Sequence, residues 1–187
     1  VGGSASDADE LTLGSLRLCD SLDPAASYDV WCQVVQRVYS RTLVAFAARP
    51  GQDGLAVVPD LAQEMPQVSA DQTVWTFSLR PGLKWDDGSP LTTDDVRYSI
   101  ERLFDDKFIG VVSTDVMCLL STCSTGLPDY TGPASGLQLP SIEVVDDATI
   151  RFTLTRPYAL FTSVLALPAM APIQRDRAIN LAARGRS

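Results

Sequence analysis

The chain of 187 residues contains no histidine. That absence excludes Ser-His-Asp and Cys-His nucleophile arrangements, together with every histidine-ligated metal site. No stretch approaches the roughly 18 unbroken apolar residues that a membrane-crossing helix requires. No Cys-x-x-Cys pair occurs, so the four cysteines lack zinc-site spacing. Positive charge is also scarce. Against 23 Asp and Glu stand 15 Lys and Arg, a formal net charge of −8, which argues against nucleic acid or an anionic membrane as partner. No internal repeat is present. What is there is 45% hydrophobic and 20% charged, the balance of a globular chain. It is long enough to bury a core as one large domain or two small ones.

The four cysteines permit three pairings. In an exported protein the favoured set is Cys19–Cys32 with Cys118–Cys123, each closing a local loop. Four free, buried thiols are the alternative. The acidic pairs Asp86-Asp87, Asp94-Asp95, Asp105-Asp106 and Asp146-Asp147 superficially suggest glycosidase or calcium chemistry. Each pair lies at a turn or helix start, where Asp is expected for local reasons. No catalytic residue, metal site or cofactor is therefore expected.

Along the chain, Val1 to Glu10 is small, polar and acidic, a flexible leader of the kind left after a secretion or lipoprotein signal is removed. A vector-derived leader reads the same way. Alternation over Leu11–Leu18 predicts a strand, and Asp20–Asp29 a loop containing Leu22-Asp23-Pro24. Val34, Val35, Val38 and Tyr39 give helical spacing from Val30 to about Leu43. A short extended piece, Leu43–Phe46, follows, and then a helical turn over Asp60–Glu64. Gln67–Ser69 is expected to pair with a strand at Thr73–Arg80. A helix is possible at Val112–Leu120, a hairpin is predicted over Ile142–Leu154, and an apolar helix over Tyr158–Leu167.

The densest pattern runs from Val58 to Leu103. Trp75, Phe77 and Leu79 alternate with Val74, Thr76, Ser78 and Arg80, which predicts a strand with one packed face. Pro81-Gly82 ends it, and Asp86-Asp87-Gly88 turns the chain again. Thr92-Thr93-Asp94-Asp95 then fits a capping box opening a helix whose buried stripe is Val96, Ser99, Ile100 and Leu103. Trp75, Phe77 and Trp85 are expected to serve as core anchors.

These residues resemble the family 5 extracellular solute-binding proteins, the peptide, dipeptide and nickel receptors of ABC importers. The resemblance rests on Ser21-Leu22-Asp23-Pro24, Val38-Tyr39 through Leu43, and Pro59-Asp60-Leu61-Ala62-Gln63. It rests above all on the run from Trp75 to Val96, and on Asp146-Asp147-Ala148-Thr149-Ile150-Arg151-Phe152-Thr153-Leu154 through Pro157 and Ala171-Pro172-Ile173. It extends from about residue 11 to residue 174. The implied fold is mixed α/β, the N-terminal part of a type II periplasmic-binding-protein-like architecture. Residues 11–37 and 156–187 would belong to the first ligand-binding lobe and 38–155 to a small extra domain. Family members are several hundred residues long, and a Gly-Thr-Gly-Pro-Tyr-like segment expected after residue 173 is replaced by Gln174–Ser187. The chain is therefore expected to be an N-terminal portion without the second lobe, binding ligand weakly or not at all by itself.

The implied function is non-enzymatic. It is capture of a peptide or other small solute outside the cell or in the periplasm, and its delivery to an ABC transporter permease. Attachment to the membrane surface would require a lipid upstream of Val1. A stand-alone interaction or sensor module on the same fold is the alternative. The resemblance directs attention to the loop after Leu-Asp-Pro: Ser27, Tyr28, Asp29, Val30 and Trp31. There the aromatic residues offer flat apolar surface and Asp29 a partner for a ligand amine. The alternative for this loop is structural, with Asp29 as helix N-cap and Val30 and Trp31 opening a buried face. Phe108, beside Lys107, is a second candidate wall.

Overall fold

A computed structural model describes residues 19, 21–26, 29–108 and 112–176. The predicted leader (1–10) and strand (11–18), as well as Ser27 and Tyr28, lie outside the described residues. The Trp75 alternation forms strand β4 (Val74–Ser78), with Trp75 and Phe77 buried and the residues between them partly exposed. With β1 (Val44–Phe46), β2 (Val57–Pro59), β3 (Gln67–Val68), β5 (Ile142–Val144) and β6 (Thr149–Thr153), it builds two antiparallel sheets. One holds β1 and β2, and the other runs β3-β4-β6-β5. The central register sets Trp75 opposite Phe152 and Phe77 opposite Ile150, so residues more than 70 positions apart share one apolar face.

That face is completed by helix α4 (Phe161–Leu165). Phe77 meets Phe152 edge-on at 5.9 Å, and Phe152 meets Phe161 at 5.5 Å. All three phenyl groups are 0% exposed. Such offset aromatic contacts add to the burial of apolar area. The β5–β6 hairpin turns where predicted, with Asp146 Oδ1 accepting the Ala148 and Thr149 N–H groups at 2.9 and 2.7 Å.

Helix α2 (Thr93–Glu101) starts at the predicted capping box and buries Val96, Ser99 and Ile100. Leu103, at the end of the predicted stripe, lies in a following 3₁₀ turn and is also buried. Helix α3 (Thr114–Leu120) falls within the span predicted for it. The disulfide Cys118–Cys123 clasps its C-terminal end, and Cys19–Cys32 ties the Leu-Asp-Pro loop to helix α1 (Val30–Tyr39).

Three expectations differ from the structure. Helix α1 exists, but Val34, Val38 and Tyr39 are half-exposed while Cys32 and Gln36 are buried. The disulfide fixes Cys32 inward, and Gln36 follows one turn later on the same face. The helix ends at Tyr39, because the Ser40 backbone turns extended (φ −95°, ψ 143°), with its N–H and hydroxyl both on the Gln36 carbonyl. Asp60–Glu64 is a run of bends with one isolated bridge rather than a helical turn. Its backbone continues toward the large sheet, Leu61 N–H bonding Thr42 O, Gln63 N–H bonding Ser78 O, and Ala62 bridging Leu79. Helix α4 is shorter than the predicted Tyr158–Leu167.

Candidate functional site

The Leu-Asp-Pro loop is organised around Asp23. Its Oδ1 accepts the Ala25 N–H at 3.0 Å, and its backbone carbonyl accepts from Ala26 at 2.9 Å. The Ser21 hydroxyl in turn accepts the Asp23 N–H at 3.1 Å. This is the local turn chemistry expected of Asp and Ser. The carboxylate is also paired with the guanidinium of Arg102, which follows α2 in the chain and is largely buried. Arg102 lies over the Phe108 ring at 4.7 Å, so one side chain connects the loop to the segment after α2.

Beside this ion pair opens a cleft of about 870 Å³. Its walls are the Leu-Asp-Pro loop, the end of α1 with Tyr39 and Arg41, the Leu83–Asp86 turn, and Pro172–Gln174. Trp85 and Leu91 add apolar surface. The Tyr39 hydroxyl donates to the Leu22 carbonyl, closing the loop against the helix. Burial, and then the negative charge of Asp23, push the Tyr39 phenol above its ordinary value, so it remains a neutral donor. Gln174 donates to Asp87 Oδ2 at 2.8 Å and Ser89 Oγ at 2.9 Å, holding the far wall.

An apolar lining with a few fixed polar groups is suited to holding a ligand. The cleft presents a neutral phenol and the paired Asp23 and Arg102, and Arg41, Lys84 and Asp86 add further charged groups to its lining. Among the described residues, no group of three or more metal-ligating side chains gathers anywhere. No helix among them is long and apolar enough to cross a membrane.

The sequence-derived candidates are placed as follows. Asp29 is the N-cap of α1, its carboxylate accepting the Trp31 N–H at 2.8 Å. Val30 is exposed, Trp31 is partly buried, and Phe108 is partly buried beneath Arg102. None of these four lines the cleft. Phe108 touches it indirectly, since Arg102 spans the two. Sequence reasoning missed Tyr39, Arg102 and the part played by Trp85. Trp85 was expected in the core, yet it is only partly buried and forms cleft wall. The pairing of Asp23 with Arg102 spans 79 positions and leaves no periodic signal in the sequence.

Comparisons with known proteins agree on one family. The model of bacterial extracellular solute-binding proteins, family 5 Middle, matches residues 56–184. The periplasmic murein peptide-binding protein MppA of Escherichia coli K12 is 32% identical over 119 residues, 64% of this chain and 21% of that protein. The probable D,D-dipeptide-binding periplasmic protein DdpA of the same organism is 30% identical over 167 residues, 89% of this chain and 28% of that protein. Among solved structures, clavulanic acid biosynthesis oligopeptide binding protein 2 superposes with a TM-score of 0.75 at 41% identity. The match covers 84% of this chain and 28% of that one. Listeria monocytogenes OppA bound to peptide gives 0.66 at 29% identity, over 85% of this chain and 29% of that one. The chain thus spans less than a third of the length of these relatives.

Proposed function

The chain belongs to the bacterial extracellular solute-binding proteins of family 5, and from that premise we propose that it forms part of a receptor for peptides. The receptor captures its ligand outside the cytoplasm and passes it to the permease of an ABC importer. The observation that carries this reading is the family match over residues 56–184. The peptide ligands named for MppA, DdpA and the Listeria protein favour peptides over other solutes. The fold is that of type II periplasmic peptide-binding proteins.

In this reading residues 11–37 and 156–187 contribute to the first lobe, and 38–155 form the small extra domain. The four-stranded sheet, at residues 67–153, fits within that domain. The loop Ser27–Trp31 and Phe108 would contact the ligand outside the Asp23–Arg102 cleft, which Asp29, Val30, Trp31 and Phe108 do not line. Binding is non-covalent, and no chemical step is performed on the peptide. A lipid upstream of Val1 would hold the protein at the outer face of the membrane.

The test is calorimetric titration of the full-length protein with defined di-, tri- and oligopeptides. Saturable binding to at least one class is expected. Trp31→Ala and Phe108→Ala should each weaken it about tenfold, equivalent to about 1.4 kcal/mol. Absence of binding to every peptide, with the protein folded, would overturn the reading.

A further inference from the structure

A second cleft, of about 640 Å³, shares Ser40 and Arg41 with the first. It is formed where the end of α1 meets the β1–β2 hairpin, and three arginines line it: Arg37 and Arg41 from the helix end, and Arg49 from the hairpin loop. Phe46, Leu55 and Ala166 give it apolar surface.

Most arginines among the described residues are neutralised, while Arg80 donates to the Ala62 and Pro59 carbonyls. Arg97, Arg102, Arg151 and Arg175 each pair with a carboxylate, as a chain of net charge −8 readily allows. Arg41 pairs with Asp60, the one acidic residue lining this cleft. Arg37 and Arg49 have no carboxylate partner among the described residues. Arg37 is instead held with its guanidinium 5.5 Å from the centroid of the Phe46 ring, a cation–π contact that orients its donors without using them. Arg49 is brought to the cleft by a tight loop in which its carbonyl packs against Gly54. A Cβ at Gly54 would sit 2.4 Å from that oxygen, so the loop requires glycine there. One guanidinium oriented by an aromatic ring and a second on the same cleft, beside apolar surface, match an oxyanion carried on an apolar body.

We propose that the Arg37–Arg49 cleft is a second binding site, separate from the Asp23–Arg102 cleft, for a small organic anion bearing a carboxylate or phosphate on an apolar group. The guanidiniums take the anionic end by paired N–H donation, and Phe46 and Leu55 cover the apolar end. The site does not depend on the peptide-binding reading proposed above.

The experiment titrates the full-length protein with phenyl phosphate, benzoate, inorganic phosphate and benzyl alcohol, following binding by calorimetry and by NMR of the Phe46 and Leu55 signals. Phenyl phosphate or benzoate should bind, and both inorganic phosphate and benzyl alcohol should bind at least about tenfold more weakly. The double variant R37Q/R49Q changes two residues outside the first cleft, and Arg41 is kept because it borders both. This variant should lose at least about tenfold in affinity while keeping its melting temperature and any peptide binding. Anion binding that survives R37Q/R49Q, or that leaves the Phe46 and Leu55 signals unmoved, would overturn the site. So would failure of both aromatic anions to bind. Inorganic phosphate binding as tightly as phenyl phosphate would overturn the apolar half of the assignment.

Discussion

The indole N–H of Trp85 donates to Asp95 Oδ2 at 3.2 Å, and the same oxygen accepts the Thr92 backbone N–H at 3.0 Å. The other carboxylate oxygen accepts the Arg175 backbone N–H at 2.9 Å. One buried carboxylate therefore joins the signature turn, the start of α2 and the segment that follows Ile173. It also sets Trp85 where it lines the first cleft.

Asp95→Ala leaves four donors without their acceptor, the indole N–H of Trp85, the Thr92 N–H and hydroxyl and the Arg175 N–H, and removes the N3 half of the capping box. A loss of about 2–4 kcal/mol is expected from a cap plus buried unsatisfied donors. Urea unfolding measures the loss, and Trp85 emission should shift to the red as the indole is released. A cost no greater than that of Thr92→Ala would show that Asp95 does no more than cap.

Phe152 stands between Phe77 and Phe161 with no exposed surface. Phe152→Ala should cost about 3–5 kcal/mol, because the sheet and α4 cannot both close over the space left. Phe152→Leu keeps most of the volume and should cost less. Equal urea midpoints for the two variants would contradict this account of the core.

The disulfides close loops of different size, with separations of 13 residues for Cys19–Cys32 and 5 for Cys118–Cys123. On the chain-entropy model their removal costs about 3 and about 2 kcal/mol respectively. Paired Cys→Ser variants compared by melting temperature test the order. The reverse order would mean that folded-state packing, not loop closure, dominates.

Glu101 is almost fully buried, and its Oε1 accepts the Leu139 N–H at 2.8 Å. Burial raises its pKa above the ordinary 4.5. The Leu139 N–H and the charges of Arg97 and Arg175 oppose the rise, and Asp94 adds to it. The folded state thus holds this proton more tightly than the unfolded chain does. Its contribution is fully present below the unfolded pKa and declines as pH rises through the folded one. Glu101→Gln keeps an acceptor for Leu139 without the charge, so its stability relative to wild type should grow from pH 4 to pH 7. Parallel pH profiles would refute this. Hydrogen bonds hold the Asp71, Asp129 and Asp146 carboxyls below their ordinary range, so a separate loss on acidification is expected in both proteins.

How far the sequence could be read depended on distance along the chain. Strand β4, the Asp95 capping box, the β5–β6 hairpin and both disulfide pairings are set by residues at most 13 positions apart. Their periodicity and spacing are visible in one dimension, and the Trp75–Val96 run carried the family resemblance with them. Valines at helical spacing mark α1 as a helix without choosing which of its sides turns inward. The disulfide at Cys32 decides the rotation instead.

The sequence alone determined that this chain has no histidine chemistry, carries excess negative charge, and holds the local elements of a mixed α/β binding-protein fold. Only the tertiary structure decided which side chains meet: Asp23 with Arg102, Trp75 opposite Phe152, and Arg37 and Arg49 on one cleft. The reason is physical. Local hydrogen bonds and side-chain periodicity are fixed by neighbours, whereas a cleft is the space left between elements that pack from distant parts of the chain. Its lining is set by that packing rather than by any repeat along the sequence.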